Sequence, residues 1–445
     1  MAKQKIQLSD HFNYSRLLRF VLPCIGTMLF TSIYGVVDGL CVSNFVGKTA
    51  FAAVNLIMPL PMLIGTVGFM LGTGGSAIVG ITLGEGDEDK ANRYFSLFVL
   101  TAFLAGVALS VLGLLILRPV AILMGAKGEM LDFAVRYGRV LMVSVPTFIL
   151  QNMFQSFFVT ASKPKLGLYV ILSAGLTNIV LDFLLVGVWH FGLAGAALAT
   201  ICGECIGGLF PVVYFLRPNS SLLRLGKTHL KLSVLGKTCL NGSSELMTNL
   251  SSSIVNSLFN VQLLRLAGEN GVAAYGAIMY VSFIFAAIFI GYSMGSAPLV
   301  SYHYGADNHI ELKNLFKKSL TLIGIWALIL FTLARLSATP LTTLFVGYDQ
   351  TLLNLTRQGF ILYGFVYLVN GFNIYGSSFF TALNNGPVSA LISFLRTLVF
   401  QTLCVMVLPI FFGLTGVWLS VTIAEILTLC VTVFFFLTMR KKYHY

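Results

Sequence analysis

The chain has 445 residues, 57% hydrophobic and only 10% charged, with a formal net charge of +12; its mean hydropathy is +0.88. Soluble domains carry about 25% charged residues, and a soluble chain of this composition would lack the polar surface to coat its apolar bulk. A cytosolic enzyme, a disordered chain, a coiled coil and a secreted disulfide scaffold are excluded, which leaves a polytopic membrane protein.

The apolar runs are continuous and do not alternate with period two, so they predict helices and not a barrel. Residues 1–20 are polar and basic, without a small-residue cleavage site, and read as lacking a cleavable signal. Twelve apolar segments follow, each near the ~20 residues a span needs. Their centres fall near residues 30, 63, 106, 149, 176, 204, 252, 285, 325, 368, 398 and 426. The seven cysteines lie in or beside these runs, where thiols act as small hydrophobes. Cys202 and Cys205 have CxxC spacing, but no second pair or histidine accompanies them, which argues against redox or zinc chemistry.

Twenty of the 28 Lys and Arg fall in one set of loops: the N-terminus, 90–93, 163–165, 217–237, 313–318, Arg396 at a loop end, and the tail. Eight fall in the other set. The positive-inside rule then predicts that both termini are cytoplasmic. Basic loops facing anionic lipid account for the net charge without any nucleic acid.

The second half repeats the first. Residues 191–204 (FGLAGAALATICGE) and 412–425 (FGLTGVWLSVTIAE) share six of fourteen positions at an offset of 221. The same offset pairs Gly47 with Gly268, Asn152 with Asn373, and Thr160-Ala161 with Thr381-Ala382. Twelve transmembrane helices are thus expected in two six-helix lobes, related by a pseudo-two-fold axis along the membrane normal. The predicted organisation is an N-terminal lobe 1–216, a cytoplasmic linker 217–237 and a C-terminal lobe 238–445. A cleft between two such lobes suits an alternating-access carrier better than a channel.

Asymmetry between the halves points to chemistry. Five acids lie within spans: Asp38, Asp182, Glu204, Glu245 and Glu425. A buried carboxylate costs about 3 kcal/mol on insertion scales, so each needs a reason. Asn178 and Asp182 are i,i+4 and share a helix face, and Thr200 lies on the next span. At the 221 offset, Asp38, Asn178, Asp182 and Thr200 become Phe259, Val399, Leu403 and Val421. An oxygen cluster in one lobe only reads as a cation-coupling site. Two carboxylates in low dielectric would share a proton, and the same oxygens suit sodium. Glu204 and Glu425 are symmetry-related, which favours a shared structural role, although Glu204 is i+4 from Thr200 and could face the same cavity.

The chain resembles the multidrug and toxic compound extrusion (MATE) family, and within it the bacterial MepA-like branch. The residues that carry the resemblance are SIYGVVD ending at Asp38, Gly47 with Ala52-Ala53-Val54, GTGGSA at 72–77, GEGD at 84–87, NIVLD at 178–182 and GLAGAALAT at 192–200. The resemblance implies efflux of bulky, often cationic compounds against an inward flow of protons or sodium. It puts Asp38, Asn178, Asp182 and Thr200 at the N-lobe cation site and makes Pro23 a first-span hinge, as a proline's missing hydrogen bond permits. Glu245 matches a seventh-span acid of some members, whereas the tenth span offers Asn370 and Asn373 but no acid. Polyspecific cargo favours Met and aromatic walls: Tyr275, Met279 and Phe283 on the eighth span, and Met153, Phe154 and Phe157 on the fourth.

The expected partners are small cationic substrates and the bilayer, with a monomeric chain, no cofactor and no metal beyond a possible sodium ion. A lipid or polysaccharide flippase is the rival reading. It would line the cleft with basic residues, which Arg265 and Arg396 would supply if they face inward. A membrane enzyme finds no support, because no HExxH motif or histidine cluster occurs.

Overall fold

The structure, a computed structural model, describes residues 6–45, 53–54, 56–347 and 349–445; the side chains of 35–45 and of Phe345 lie outside the description. Its helices are α1 (Tyr14–Phe45), α2 (Pro59–Gly84), α3 (Glu88–Leu123), α4 (Gly128–Thr160), α5 (Pro164–Asp182, extended by a π-helical turn Phe183–Val188) and α6 (Gly192–Leu216). The helical run Leu232–Gly305 is divided at Gly268, whose φ of 63° and ψ of −154° are non-helical, into α7 (232–267) and α8 (269–305). Helix α9 is His309–Val346. Helix α10 is broken: Gln350–Tyr363, a 3-10 turn Gly364–Leu368, then Asn370–Ala382, with a 40° bend. Helix α11 begins with Gly386–Phe394, passes through a π-helical turn Leu395–Phe400 and continues to residue 412; Gly413, at φ 54°, separates it from α12 (414–438).

Nine helices among the described residues are long and apolar enough to cross a membrane, or ten with the bent pair. Two of these runs are each split by a left-handed glycine, which makes twelve crossings. The protein is an all-α polytopic membrane protein.

The sequence repeat is also a repeat of local backbone. Left-handed residues recur at the 221 offset: Gly86 (φ 84°) with Asp307 (φ 55°), and Gly192 (φ 57°) with Gly413 (φ 54°). The Asp87 carboxylate caps α3 by accepting from the Lys90 amide at 2.9 Å, and Asn308 caps α9 by accepting from the Glu311 amide at 3.1 Å. Side-chain caps of this kind satisfy amides that have no partner within the helix.

Contacts between the halves obey the same symmetry. A Cβ on Gly80 would meet Ser301, its own equivalent; one on Gly84 would meet the backbone of Tyr302 and Ala306, and one on Gly305 would meet Ile81. Helices α2 and α8 therefore cross on the pseudo-two-fold axis. Gly74 lies against Gly242 of α7, and the mirrored contact, Gly295 against Val21 of α1, is also present. Small residues let the backbones approach this closely. We expect Gly84→Ala to destabilise the fold by about 1–3 kcal/mol through overpacking. Gly324→Ala, whose Cβ would only graze Phe372, should be neutral or slightly stabilising. Thermal unfolding in detergent micelles distinguishes the two.

All of these crossings lie at the end of the bundle that carries both termini. Two straps reinforce it. The segment before α1 reaches over to the second lobe: the buried Phe12 gives its amide to Glu311 Oε1 at 2.9 Å, and its carbonyl accepts from Asn314 at 3.0 Å and Lys318 at 2.6 Å. The segment before α7 reaches over to the first lobe, where the Arg224 amide donates to Asn92 at 2.8 Å and the Gly226 amide to Ser96 at 3.0 Å. Leu8 and Phe12 plug one core and Leu223 the other.

The opposite half is different. Along α7, Asn249, Ser253, Asn256 and Asn260 are exposed and recur at helical spacing, one turn after Glu245. Leu250, Ile254, Val261 and Leu264 form a separate exposed apolar stripe that suits lipid. Part of the polar stripe is satisfied within the lobe, since Asn249 donates to the Glu245 carbonyl at 2.9 Å and Asn256 accepts from the Tyr275 hydroxyl at 2.9 Å. The close glycine crossings between the lobes thus lie toward the terminal end.

Candidate functional site

In the first lobe, α5 is held between α1 and α6. A Cβ on Gly175 would strike the Phe30 ring of α1, and one on Gly203 of α6 would strike the Ala174 carbonyl. This close approach brings Asn178 of α5 against Thr200 of α6. Asp182 is 0% exposed and Asn178 is buried. Asn178 Nδ2 donates to Thr200 Oγ1 at 3.4 Å, and Thr200 Oγ1 donates to the Ala196 carbonyl at 3.1 Å. Asn178 Oδ1 has no hydrogen-bond partner among the described residues. Asp182 is the last residue of α5 before the π-helical turn, and that turn packs on α1. Wide turns of this kind free carbonyls and recur at functional sites. Asp38 lies on α1, but its side chain is outside the description. Pro23 is buried within α1, and Thr27 Oγ1 donates to its carbonyl at 2.9 Å.

The second lobe holds a different centre. Glu425 of α12 is 2% exposed. Its Oε1 accepts from Arg396 Nε at 2.7 Å and its Oε2 from Asn373 Nδ2 at 2.7 Å. The same amide also donates to the Glu425 carbonyl at 2.8 Å, and Thr432 donates to Asn373 Oδ1 at 2.9 Å. Arg396 is not at a loop end, as the basic-residue tally assumed. It sits in the π-helical turn of α11, ten residues beyond Gly386, about 15 Å along the helix at 1.5 Å per residue. Nor do Glu204 and Glu425 have matching partners. Glu204 faces Ser144 of α4, and its Oε2 lacks a hydrogen-bond partner among the described residues, whereas its equivalent is a salt-bridged acid.

A family model described as MatE matches residues 23–184 and again 246–407. The chain belongs to the MATE family. The two matches cover the two halves of the repeat, and the family is one of transporters, so the protein is a carrier and not an enzyme. Curated relatives include "Multidrug export protein MepA" of Staphylococcus haemolyticus, 24% identical over 96% of this chain and 94% of the relative, and the MepA of Staphylococcus aureus MRSA252, 24% identical over 93% and 91%. Among solved structures, a multidrug-resistance MATE transporter in an outward-facing conformation superposes with a TM-score of 0.92 at 22% identity, covering 100% of this chain and 99% of that one. A MOP-superfamily transporter from Pyrococcus furiosus gives 0.91 at 22%, with the same coverage. These likenesses establish the MATE fold.

Against that MATE fold, the expected cleft residues divide. Met153, Phe154 and Phe157 do not line an opening: they are buried among Phe95, Phe158 and Phe215, inside the first lobe. Their i,i+4 spacing marked a buried face, which periodicity alone cannot tell from a cleft wall. Tyr275 is also a packing residue. Its ring stacks on Phe259 at 5.1 Å and its hydroxyl donates to Asn256 at 2.9 Å, tying α8 to α7 across the Gly268 break. Met279 is half-buried, and Phe283 is 61% exposed. Glu245 is half-buried on α7, below the polar stripe and within reach of the Arg396 charge. The stripe itself was missed at the sequence level, although four polar residues at helical spacing in an apolar run are a readable signal. The described cysteines, including Cys202 and Cys205, are free, and no metal-binding cluster occurs among the described residues.

Proposed function

We propose that the protein exports bulky cationic compounds by alternating access, in exchange for protons or sodium ions moving inward. The observation that carries this reading is Asp182, a fully buried acid on α5 one turn after Asn178, which itself bonds Thr200 of α6. A site of this kind gains stability from a cation and can trade it for movement of the helices that form it. Asp38 on α1 would be the second carboxylate, and the bend at Pro23 would transmit its change of charge. The multidrug export activity named for the MepA relatives supports the cargo class. The flippase reading is weakened because Arg396 is committed to Glu425 and is not free for an anionic headgroup.

The carrier would work as a monomer with lobes 1–216 and 238–445, joined by 217–237, in a bacterial cytoplasmic membrane with both termini inside. With Arg396 reassigned to a span, nineteen basic residues still face eight, which favours this orientation. In a cysteine-free background, Lys127→Cys should react with an impermeant maleimide from outside intact cells and Lys231→Cys should not; the reverse pattern overturns the direction of transport. The function itself is tested with a fluorescent cation in everted vesicles, under a pH gradient and a sodium gradient imposed separately. Accumulation under one of them is expected. Accumulation under neither overturns the antiport reading.

A further inference from the structure

Each lobe carries acids within its spans, buried or half-buried. The first lobe has Asp182 and Glu204. The second has Glu425 and Glu245, with an arginine between its helices. At the repeat offset, Arg396 corresponds to Gly175, where α1 packs so closely that even a Cβ would strike Phe30. The first lobe has no room for a base at that place.

Every oxygen of Glu425 is already engaged. Oε1 takes Arg396 Nε at 2.7 Å, Oε2 takes Asn373 Nδ2 at 2.7 Å, and the main-chain carbonyl takes the same amide at 2.8 Å. The guanidinium is partly reachable, with 17% of its side chain exposed, while the carboxylate is 2% exposed. The ionisable groups facing this centre are Glu245 from α7, Tyr363 from α10, Arg396 from α11 and Glu425 from α12. Tyr363 is bonded to Ser282 of α8 at 3.0 Å. One turn before Asn373, Asn370 is buried with its Oδ1 unpartnered among the described residues. The centre is thus an oxygen-rich cluster in which a single positive charge is already present and covalently attached.

We propose that Arg396 is a tethered counter-ion filling a monovalent-cation position in the second lobe, so that this lobe carries no exchangeable coupling ion while Arg396 is in place. The π-helical turn at Leu395–Phe400 is the local feature that carries Arg396 within the span; arginine suits the role because it stays charged and bonds a carboxylate in a fixed plane. Removing the charge leaves Glu425 and Glu245 without compensation in low dielectric, and a proton or a sodium ion should then enter. The inference rests on the reading that the first lobe binds the coupling ion.

The test is cation stoichiometry on the full-length protein in detergent, using radioactive sodium and, without sodium, proton uptake on acidification. Arg396→Gln should add one bound cation per chain relative to wild type. Arg396→Gln with Glu425→Gln should abolish the gain, and Arg396→Lys should behave as wild type. Glu425→Gln alone should leave the stoichiometry unchanged, a prediction that stands even where Arg396→Gln fails to fold. An unchanged stoichiometry in folded Arg396→Gln, or the loss of one cation in Glu425→Gln, overturns the proposal. Asp182→Asn separates the two readings. If it removes no cation while Arg396→Gln still gains one, the first-lobe reading falls and the tethered counter-ion stands. If it removes one and Arg396→Gln gains none, only the counter-ion falls.

Discussion

Asp182→Asn should abolish gradient-driven export while leaving the fold intact. The amide has nearly the volume of the carboxylate, so packing between α1, α5 and α6 should change little. What disappears is the charge that a proton or sodium ion would neutralise. A ligand drives a conformational change only through its different affinity for the two states, and coupling between linked sites is typically worth about 1–3 kcal/mol. Losing it should cut efflux under an imposed gradient by at least about tenfold. The control is Leu403→Asn at the equivalent position of the second lobe. Leu403 is 54% exposed on α11, lies away from the Glu425 centre's hydrogen bonds, and should retain substantial transport. Dye efflux from vesicles, normalised to membrane expression, decides between them. Equal loss in both variants means that polarity on these helices disturbs insertion, and Asp182 then has no special claim.

How far the sequence spoke can be judged from particular residues. The duplication was legible because left-handed turns and close helix crossings demand glycine, so Gly192 and Gly413, or Gly84 and Gly305, survive in register. The contact of Asn178 with Thr200 was legible as a pair of polar residues on neighbouring spans, and Asn178 and Asp182 at i,i+4 share a face wherever the helix goes. The acid–base pairing of the second lobe was not. Arg396 comes within reach of Glu425 inside a π-helical turn, and no simple residue pattern announces such a turn. The lining of the cleft was not legible either, since Met153 and Phe157 obey the same periodicity whether they face a partner helix or a ligand. Exposure, which decides the matter, is a property of the assembled lobes.

Phe12→Ala should open the seam at the terminal end. Phe12 is 0% exposed, and removing a buried Phe side chain costs about 3–5 kcal/mol. The straps join one lobe to the other, so they must let go whenever the lobes separate at this end. Their contacts therefore stabilise the closed arrangement and not the alternative. A difference of even 1.4 kcal/mol between two states changes their ratio by about tenfold. The strap before α7 carries the mirrored contact, so Leu223→Ala should act in the same direction. Ser301 sits in the α2–α8 crossing and is 1% exposed, which makes Ser301→Cys, in a cysteine-free background, a reporter of seam opening. Its labelling by an impermeant maleimide applied to the terminal side should rise at least about tenfold in Phe12→Ala. Glu311→Gln should give a smaller rise, because the carboxamide can still accept from the Phe12 amide but loses the charge held against His11, 2.6 Å away. If Phe12→Ala leaves the labelling rate unchanged while lowering the melting temperature, the strap stabilises both arrangements equally. The crossing glycines alone would then hold the seam shut.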